Sequence, residues 1–220
     1  MIGATDPARW KTHTPERLGL MSGYVWATDP KHLLFTLARY KFVAKMLAGR
    51  WAILEVGCAD AFGTRLVAQG NSDVVGIDCD PEMVESARAT VGAWPIEIHK
   101  HNILDRRFRY MPDRDFDAAY AIDVLEHISF DQEDQFLANM AASVIDSGQV
   151  IIGMPSLESQ AHASEASREG HVNCKTLEGL RATCARHFTT VLMFGMNDEM
   201  VHTGYGPLCH YLWAVCAGKR

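Results

Sequence analysis

The chain has 220 residues, a formal net charge of −6 at pH 7 and an apolar fraction of 48%, which is enough for one α/β domain with a sizeable core. The acidic balance argues against non-specific binding to nucleic acid, and no apolar run reaches the roughly 20 residues that span a bilayer. Six cysteines without Cys-x-x-Cys spacing, and no basic head before an apolar stretch at the start, predict reduced thiols in a cytoplasmic protein.

The first half of the chain predicts alternating helices and strands. Residues 1–28, with Trp10, Tyr24 and Trp26 among polar residues, are expected to form an arm that packs on the domain or covers its ligand. Asp29-Pro30 then supplies an N-cap followed by proline at the first helical position, and predicts a helix over 29–48. Further helices are expected from Gly63 to Gly70, after Asp80, and after Ser129, where Gln132 completes a capping box. The predicted strands are 51–56, 73–77, 96–99, 116–122 and 149–154.

This alternation predicts a parallel sheet with helices on both faces, whose ligands bind beyond the carboxyl ends of the strands. Residues 155–173 differ, because they are polar and almost empty of core residues. One more helix, near 177–184, precedes two strand-like runs at 188–194 and 208–216, and the segment 196–207 between them is long for a hairpin. No linker divides the chain, so we expect a single domain over 1–220.

A nucleotide site is indicated by the ends of the first two strands. The stretch Ile53–Thr64 is an apolar run with an acid that breaks into a loop of small residues, and about 20 residues after Gly57 a second run ends in Asp78. Small residues let the backbone approach a ligand, and the later carboxylate can accept from two ribose hydroxyls. A nicotinamide site is disfavoured, because two glycines of G-x-G-x-x-G are missing and no tyrosine has a lysine four residues on.

The run from about 29 to 217 resembles the class I S-adenosylmethionine-dependent methyltransferases. Ile53–Thr64 is similar to their first motif, Val74–Asp80 to the second, Lys100–Asp105 to the adenine-contacting segment and Phe116–Ile128 to the fourth. The resemblance implies S-adenosylmethionine as the cofactor and a Rossmann-like, doubly wound, seven-stranded sheet, mostly parallel with an antiparallel last strand. Ala59 and Ala61 stand where the family has glycines, which is tolerable where φ stays negative.

The resemblance also implies the cofactor contacts. The backbone around Gly57 lies against the methionyl part, and Glu55 either orients this loop, reaches the ligand's amino group through water, or caps neighbouring amides. Asp78 accepts the ribose hydroxyls, since Asp80 is available as the helix N-cap. The expected cofactor-binding residues are Glu55, Gly57, Cys58, Ala59, Asp78, Cys79, Asn102, Ile103 and Asp123.

The catalytic residues are expected after the fourth strand, where the reactive methyl would lie. The enzyme mainly aligns the reactants and removes a proton if the acceptor is a hydroxyl. His127 has the right pKa range for that proton, and Glu126 can fix its tautomer, although a structural histidine is the alternative. His171 lies in a polar loop that can fold over the site. Four residues could in principle bind a metal ion: Glu126, His127, His171 and His202. No short-range ligand spacing supports this, so no metal site is predicted.

The predicted function is methyl transfer to oxygen or nitrogen of a small hydrophilic molecule, with a sugar or glycan precursor favoured. Segments 155–173 and 196–207 and the arm would form the acceptor pocket. No membrane partner is expected, nucleic acid is disfavoured, and a homodimer is left open. One alternative is an RNA or protein methyltransferase, and the basic cluster of Arg106, Arg107 and Arg109 keeps RNA open as the acceptor. The other alternative is a non-catalytic regulatory protein that binds the cofactor.

Overall fold

The computed structural model describes residue 11, residues 14–71 and residues 73–220. Trp10 and residues 1–9, 12 and 13 of the predicted arm lie outside the described residues. The described elements are α1 (Leu20–Thr28), α2 (Pro30–Met46), β1 (Ala52–Val56), α3 (Thr64–Ala68), β2 (Asp73–Asp78), α4 (Pro81–Val91), β3 (Ile96–Lys100), β4 (Phe116–Ile122), α5 (Glu133–Ser143), β5 (Val144–Pro155), α6 (Glu165–Gly170), α7 (Leu177–Ala185), β6 (Phe188–Asn197), β7 (Met200–His202) and β8 (Tyr211–Lys219). Among these residues, no helix is both long and apolar enough to cross a membrane.

The strands form one sheet in the order β3-β2-β1-β4-β5-β8-β6-β7. The first five strands are parallel, and β8 runs antiparallel between β5 and β6. The predicted Rossmann-like sheet with an antiparallel last strand is therefore confirmed. The described sheet has eight strands rather than seven, because Met200–His202 pairs with the end of β6 inside the segment predicted as a loop.

Helices cover both faces of the sheet, as the alternating pattern predicts. Ile53 points into a core formed with Val43 of α2, and the next residue, Leu54, points into a second core formed with Phe136 of α5. Both strand residues are fully buried. Successive side chains of a strand point to opposite faces, so a strand that is apolar on both faces must lie between two helical layers.

Helix starts follow the predicted caps at two of three positions. The Asp29 side chain accepts from the His32 amide, and the Asp80 side chain accepts from the Glu82 amide at 2.8 Å. The predicted capping box of α5 is wrong, because this helix begins at Glu133 and Gln132 is its N-cap without a side-chain cap bond. The Ser129 hydroxyl instead donates to the Gln132 side chain within the preceding turn.

Candidate active site

The loop after β1 lies against the ends of β2 and β4. The Gly57 and Cys58 amides donate to the Ile77 carbonyl, and Gly57 has φ +75° with Val124 packed where a side chain would begin. Asp78 accepts from the Ala59 amide with one carboxylate oxygen and from the Asp80 amide with the other, both at 2.9 Å. The predicted ribose acceptor therefore lies directly beside the predicted methionyl loop.

The two alanines at the family's glycine positions do not keep negative φ. Ala59 has φ +45° and Ala61 has φ +55°, so the condition expected from the sequence is wrong. A left-handed conformation costs an L-residue about 1–2 kcal/mol. In this conformation the Ala59 amide donates to Asp78 at 2.9 Å and the Ala61 amide donates to the Cys58 carbonyl at 2.8 Å. The chain thus keeps the backbone of a glycine loop with alanine at two of the glycine positions.

Glu55 lies beneath this loop rather than in it. Its carboxylate is 1% exposed and accepts from the Tyr40 hydroxyl at 2.7 Å and from the Thr64 hydroxyl at 2.6 Å. Burial raises the pKa of Glu55 to about 7, against the opposing effect of the hydroxyl donors. Glu55 therefore ties α2 to the start of α3 under the loop, which fits an orienting role. Its contact with a ligand stays a prediction.

The described part of the arm is fastened to the same loop. Asp60 is 2% exposed, and its carboxylate accepts from the Ser22 amide at 2.6 Å and from the Ser22 hydroxyl at 3.0 Å. Ser22 lies in the first turn of α1, where backbone amides lack intrahelical partners, so Asp60 caps this helix from a distant part of the chain. Tyr24 and Trp26 are 70% and 55% exposed on α1.

The expected adenine side opens as a cavity of about 530 Å³ at the ends of β2 and β3. Its lining residues are Cys79, Lys100, His101, Asn102, Asp105 and Arg106. The Asn102 side chain accepts from the Leu104 amide at 3.0 Å and shapes the turn. Two predicted contacts face inward, because the side chain of Ile103 packs in the core and that of Cys58 is 1% exposed against Gly76. Adenine contacts from side chains would therefore come from Cys79 and Asn102.

Asp123 follows β4 with φ +56° and pairs with Arg39 of α2 at 2.6 Å. The Arg39 guanidinium also lies 4.1 Å from the centroid of the Tyr211 ring. Sequence reasoning missed Arg39. It stands beside the buried Tyr40 in a stretch that is mostly apolar, and no local pattern distinguishes such an arginine from a surface residue.

Glu126, His127 and His171 come together beside Asp123. Each offers one ligand atom, and the three atoms lie within 4.8 Å of one another. His127 is exposed, whereas Glu126 is 1% exposed and its Oε2 has no hydrogen-bond partner among the described residues. Burial, and next the charge of Asp123, raise the pKa of Glu126 well above its usual range, while burial and His127 lower the pKa of His171.

The tautomer of His127 is fixed by the Gly170 carbonyl, which lies 2.9 Å from Nδ1, and not by Glu126 as predicted. A carbonyl oxygen only accepts, so Nδ1 carries the proton and Nε2 keeps a lone pair. His171 has the same arrangement, with its Nδ1 2.9 Å from the side-chain oxygen of Gln160. The Gln160 amide nitrogen donates to the Ser156 carbonyl, which sets the orientation of that amide.

A buried polar network holds the loop that carries His171, and sequence reasoning missed it. The Asn173 amide donates to the Glu126 carbonyl at 3.0 Å, and the Asn173 side chain donates to Glu133. Glu133 is 1% exposed and pairs with Lys175 at 2.7 Å and with Arg186 at 2.6 Å. The loop that carries His171 is therefore held by the charges of Glu133, Lys175 and Arg186. Glu133 and Lys175 are buried, and Arg186 is not.

The remaining predicted candidates lie elsewhere. His202 is satisfied within its own hairpin, with Nε2 3.2 Å from the Asn197 side chain and Nδ1 accepting from the Gly204 amide. Arg107 donates to the Ala142 carbonyl and pairs with Asp115, and Arg109 donates to the Pro112 carbonyl. Two of the three arginines in the predicted basic cluster are therefore used by the chain itself.

A family model described as a methyltransferase domain matches residues 53–148, a segment that holds the loop after β1, Asp78 and the Glu126–His127 turn. The sheet order and the antiparallel β8 complete the same architecture. The match covers less than half of the chain, and it supports the predicted resemblance to the class I S-adenosylmethionine-dependent methyltransferases, with S-adenosylmethionine as the cofactor. No curated protein sequence matches the chain.

Solved structures share the fold of this chain at low sequence identity. The complex between the Haloferax volcanii Trm112 methyltransferase activator and the putative methyltransferase has TM-score 0.67 and 12% identity, covering 94% of this chain and 100% of that chain. The N-methyltransferase NodS from Bradyrhizobium japonicum, in complex with S-adenosyl-L-homocysteine, has TM-score 0.60 and 18% identity, covering 89% of this chain and 91% of that chain. A TehB-like methyltransferase from Corynebacterium glutamicum has TM-score 0.60 and 20% identity, covering 83% of this chain and 87% of that chain.

Proposed function

We propose that the protein transfers a methyl group from S-adenosylmethionine to an oxygen or nitrogen of a small hydrophilic molecule, such as a sugar or a glycan precursor. The observation that carries this proposal is the polar cluster of Glu126, His127 and His171 at the carboxyl end of β4. It begins two residues after Val124, which packs against Gly57 of the cofactor loop. Ligands of such sheets bind at this edge, so the cluster faces the place of the acceptor.

The residues around the loop fit the cofactor. Each carboxylate oxygen of Asp78 accepts one backbone amide, and a carboxylate oxygen can accept a second bond, so both ribose hydroxyls can be held. Arg39 and Asp123 form an ion pair at the end of β4, and both groups of such a pair can also bind charged groups of a ligand. The bound cofactor supplies an electrophilic methyl group; the chain supplies alignment and proton removal.

The acceptor side is built from segment 155–173. This segment contains α6, whose last residue, Gly170, contacts His127, and it contains Gln160, which contacts His171. Proton removal from a hydroxyl acceptor falls to the cluster that these contacts hold. The polar lining supports a hydrophilic acceptor. A homodimer and a cytoplasmic location stay predictions.

The proposal is tested by cofactor binding and by transfer of a labelled methyl group. Isothermal titration with S-adenosylhomocysteine should show binding, and Asp78→Ala should weaken it by about 1.5–3 kcal/mol, the scale of hydrogen bonds to a charged group. Asp131→Ala removes an exposed carboxylate outside this pocket and serves as the control. A panel of sugars, nucleotide sugars and small amines then identifies the acceptor. Absence of binding to the folded protein would contradict the cofactor site, and binding without transfer to any acceptor would favour a regulatory protein.

A further inference from the structure

The cluster at the end of β4 has the composition of a metal site. We propose that Glu126, His127 and His171 bind one divalent transition-metal ion, which holds an oxygen atom of the methyl acceptor; this last role rests on the proposed function. A carboxylate with two imidazoles is a ligand set that suits zinc, iron, cobalt and manganese. Calcium and magnesium prefer sites made of oxygen alone, and are therefore disfavoured.

The three side chains are gathered closely enough to surround one ion. Ligand atoms that lie about 2.1 Å from a tetrahedrally coordinated ion are about 3.4 Å from one another. The three ligand atoms lie within 4.8 Å of one another, so side-chain movements of about 1 Å bring them around one ion. The ligands come from two parts of the chain, the turn after β4 and the loop before α7, which the Asn173–Glu126 backbone bond joins.

The hydrogen bonds behind the two histidines match those behind metal ligands. A histidine that binds an ion usually donates its other ring N–H to a carbonyl or carboxylate, which fixes the ring and its tautomer. His127 and His171 both place Nδ1 against an oxygen that only accepts, the Gly170 carbonyl and the Gln160 side chain. Each ring therefore keeps the Nε2 lone pair for a ligand bond.

The buried carboxylate of Glu126 supplies an independent observation. Its Oε2 is inaccessible to solvent and has no hydrogen-bond partner among the described residues. A buried polar atom without a partner is costly, and natural proteins keep such atoms rarely. The neighbouring cation, Arg39, is already paired with Asp123. An ion between Glu126 and the histidines would satisfy this oxygen.

The site also keeps an open side. Three protein ligands leave coordination positions for other oxygen donors, as in catalytic rather than structural metal sites. His127 is exposed, so these positions face the solvent-accessible side where the acceptor would enter. An ion at this place lowers the pKa of a hydroxyl that it binds, and it favours an acceptor with oxygen donors over an amine.

The test is metal binding by the whole, untagged protein after dialysis against a chelator. Titration with Co²⁺, followed by its visible absorption, and calorimetry with Zn²⁺ and Mn²⁺ should show one equivalent bound. Glu126→Gln and His171→Ala should weaken binding at least about 100-fold, because loss of an outer-shell partner alone costs about 10–100-fold. His99→Ala removes a histidine of the edge strand β3 and should leave the affinity unchanged.

Binding of S-adenosylhomocysteine separates this proposal from the proposed function and shows that each variant is folded. If the protein binds S-adenosylhomocysteine but no metal ion, or binds Co²⁺ equally well without Glu126 and His171, the metal site is refuted and the cofactor site stands. If it binds Co²⁺ through these residues but no S-adenosylhomocysteine, the metal site stands and the proposed function is refuted.

Discussion

The buried carboxylate of Glu55 predicts a specific dependence of stability on pH. Its folded-state pKa is raised from 4.5 to about 7 by burial. A group with a raised folded pKa contributes its full stability below the unfolded pKa and loses it as pH rises through the folded pKa. Glu55 should therefore stabilise the fold least above pH 7. The substitution Glu55→Gln removes the titration, keeps the size of the side chain and keeps an acceptor oxygen for one of the Tyr40 and Thr64 hydroxyls.

The magnitude follows from the two pKa values. Proton linkage with a pKa of 4.5 in the unfolded chain and about 7 in the folded chain gives a loss of about 0.8 kcal/mol at pH 5 and about 3.4 kcal/mol at pH 8. The difference, about 2.5 kcal/mol between these pH values, belongs to Glu55 alone. Other titrating groups contribute equally to the wild type and to the variant, and cancel when the two proteins are compared.

The measurement is urea denaturation of both proteins at pH 5 and pH 8, followed by the fluorescence of tryptophan, since Trp213 is fully buried. The free energy of unfolding of the wild type should fall between these pH values by about 2.5 kcal/mol more than that of Glu55→Gln. Parallel pH dependence of the two proteins would refute the reasoning. Because both carboxylate oxygens are occupied by protein hydroxyls, the affinity for S-adenosylhomocysteine should change little at pH 5.

Three further predictions concern the loop and the cluster. Ala59→Gly should raise the free energy of unfolding by about 0.5–1 kcal/mol, since relief of the left-handed strain exceeds the added entropy of the unfolded chain; a lower melting temperature would contradict this. Asp60→Ala removes the cap on Ser22 and should cost about 1–2 kcal/mol, with faster hydrogen exchange in α1 than in β1; equal exchange changes would mean that α1 is not held by Asp60. His127→Ala should lower turnover about 100-fold or more while the affinity for S-adenosylhomocysteine stays within about twofold, and unchanged turnover would make the histidine structural.

The parts of the fold that sequence could predict are those with local causes. Strand ends, helix caps and the alternation of elements depend on residues within a few positions of one another, and Asp29 and Asp80 cap the helices expected of them. The place of Asp78 beside the loop follows from the same logic, because parallel strands end at one edge of the sheet.

The parts that sequence could not predict depend on distant partners. Glu126 and His171 are far apart in the chain, and they meet because the Asn173 amide binds the Glu126 carbonyl and because Lys175 pairs with Glu133. No spacing rule detects such a pair, because short-range patterns do not report on side chains that distant segments bring together, and the prediction of no metal site stays a prediction. The inward side chain of Ile103 was not predicted for the same reason, since it packs in the core cluster that contains residues of α5.

Strained backbone conformations and an unpartnered buried oxygen are concentrated where the cofactor and the acceptor are expected to bind. Among the described residues outside glycine, positive φ occurs at Ala59, Ala61, Asp123 and Asp198, and three of these four lie at the carboxyl ends of β1 and β4. The unpartnered oxygen of Glu126 lies at the same edge. Such conformations persist only where the surrounding structure enforces them, and departures from local rules tend to collect at functional sites. Because ligands that bind here would satisfy Glu126 and use the exposed loop backbone, ligand-induced stabilisation should be largest for these segments, and hydrogen exchange with and without S-adenosylhomocysteine can measure it residue by residue.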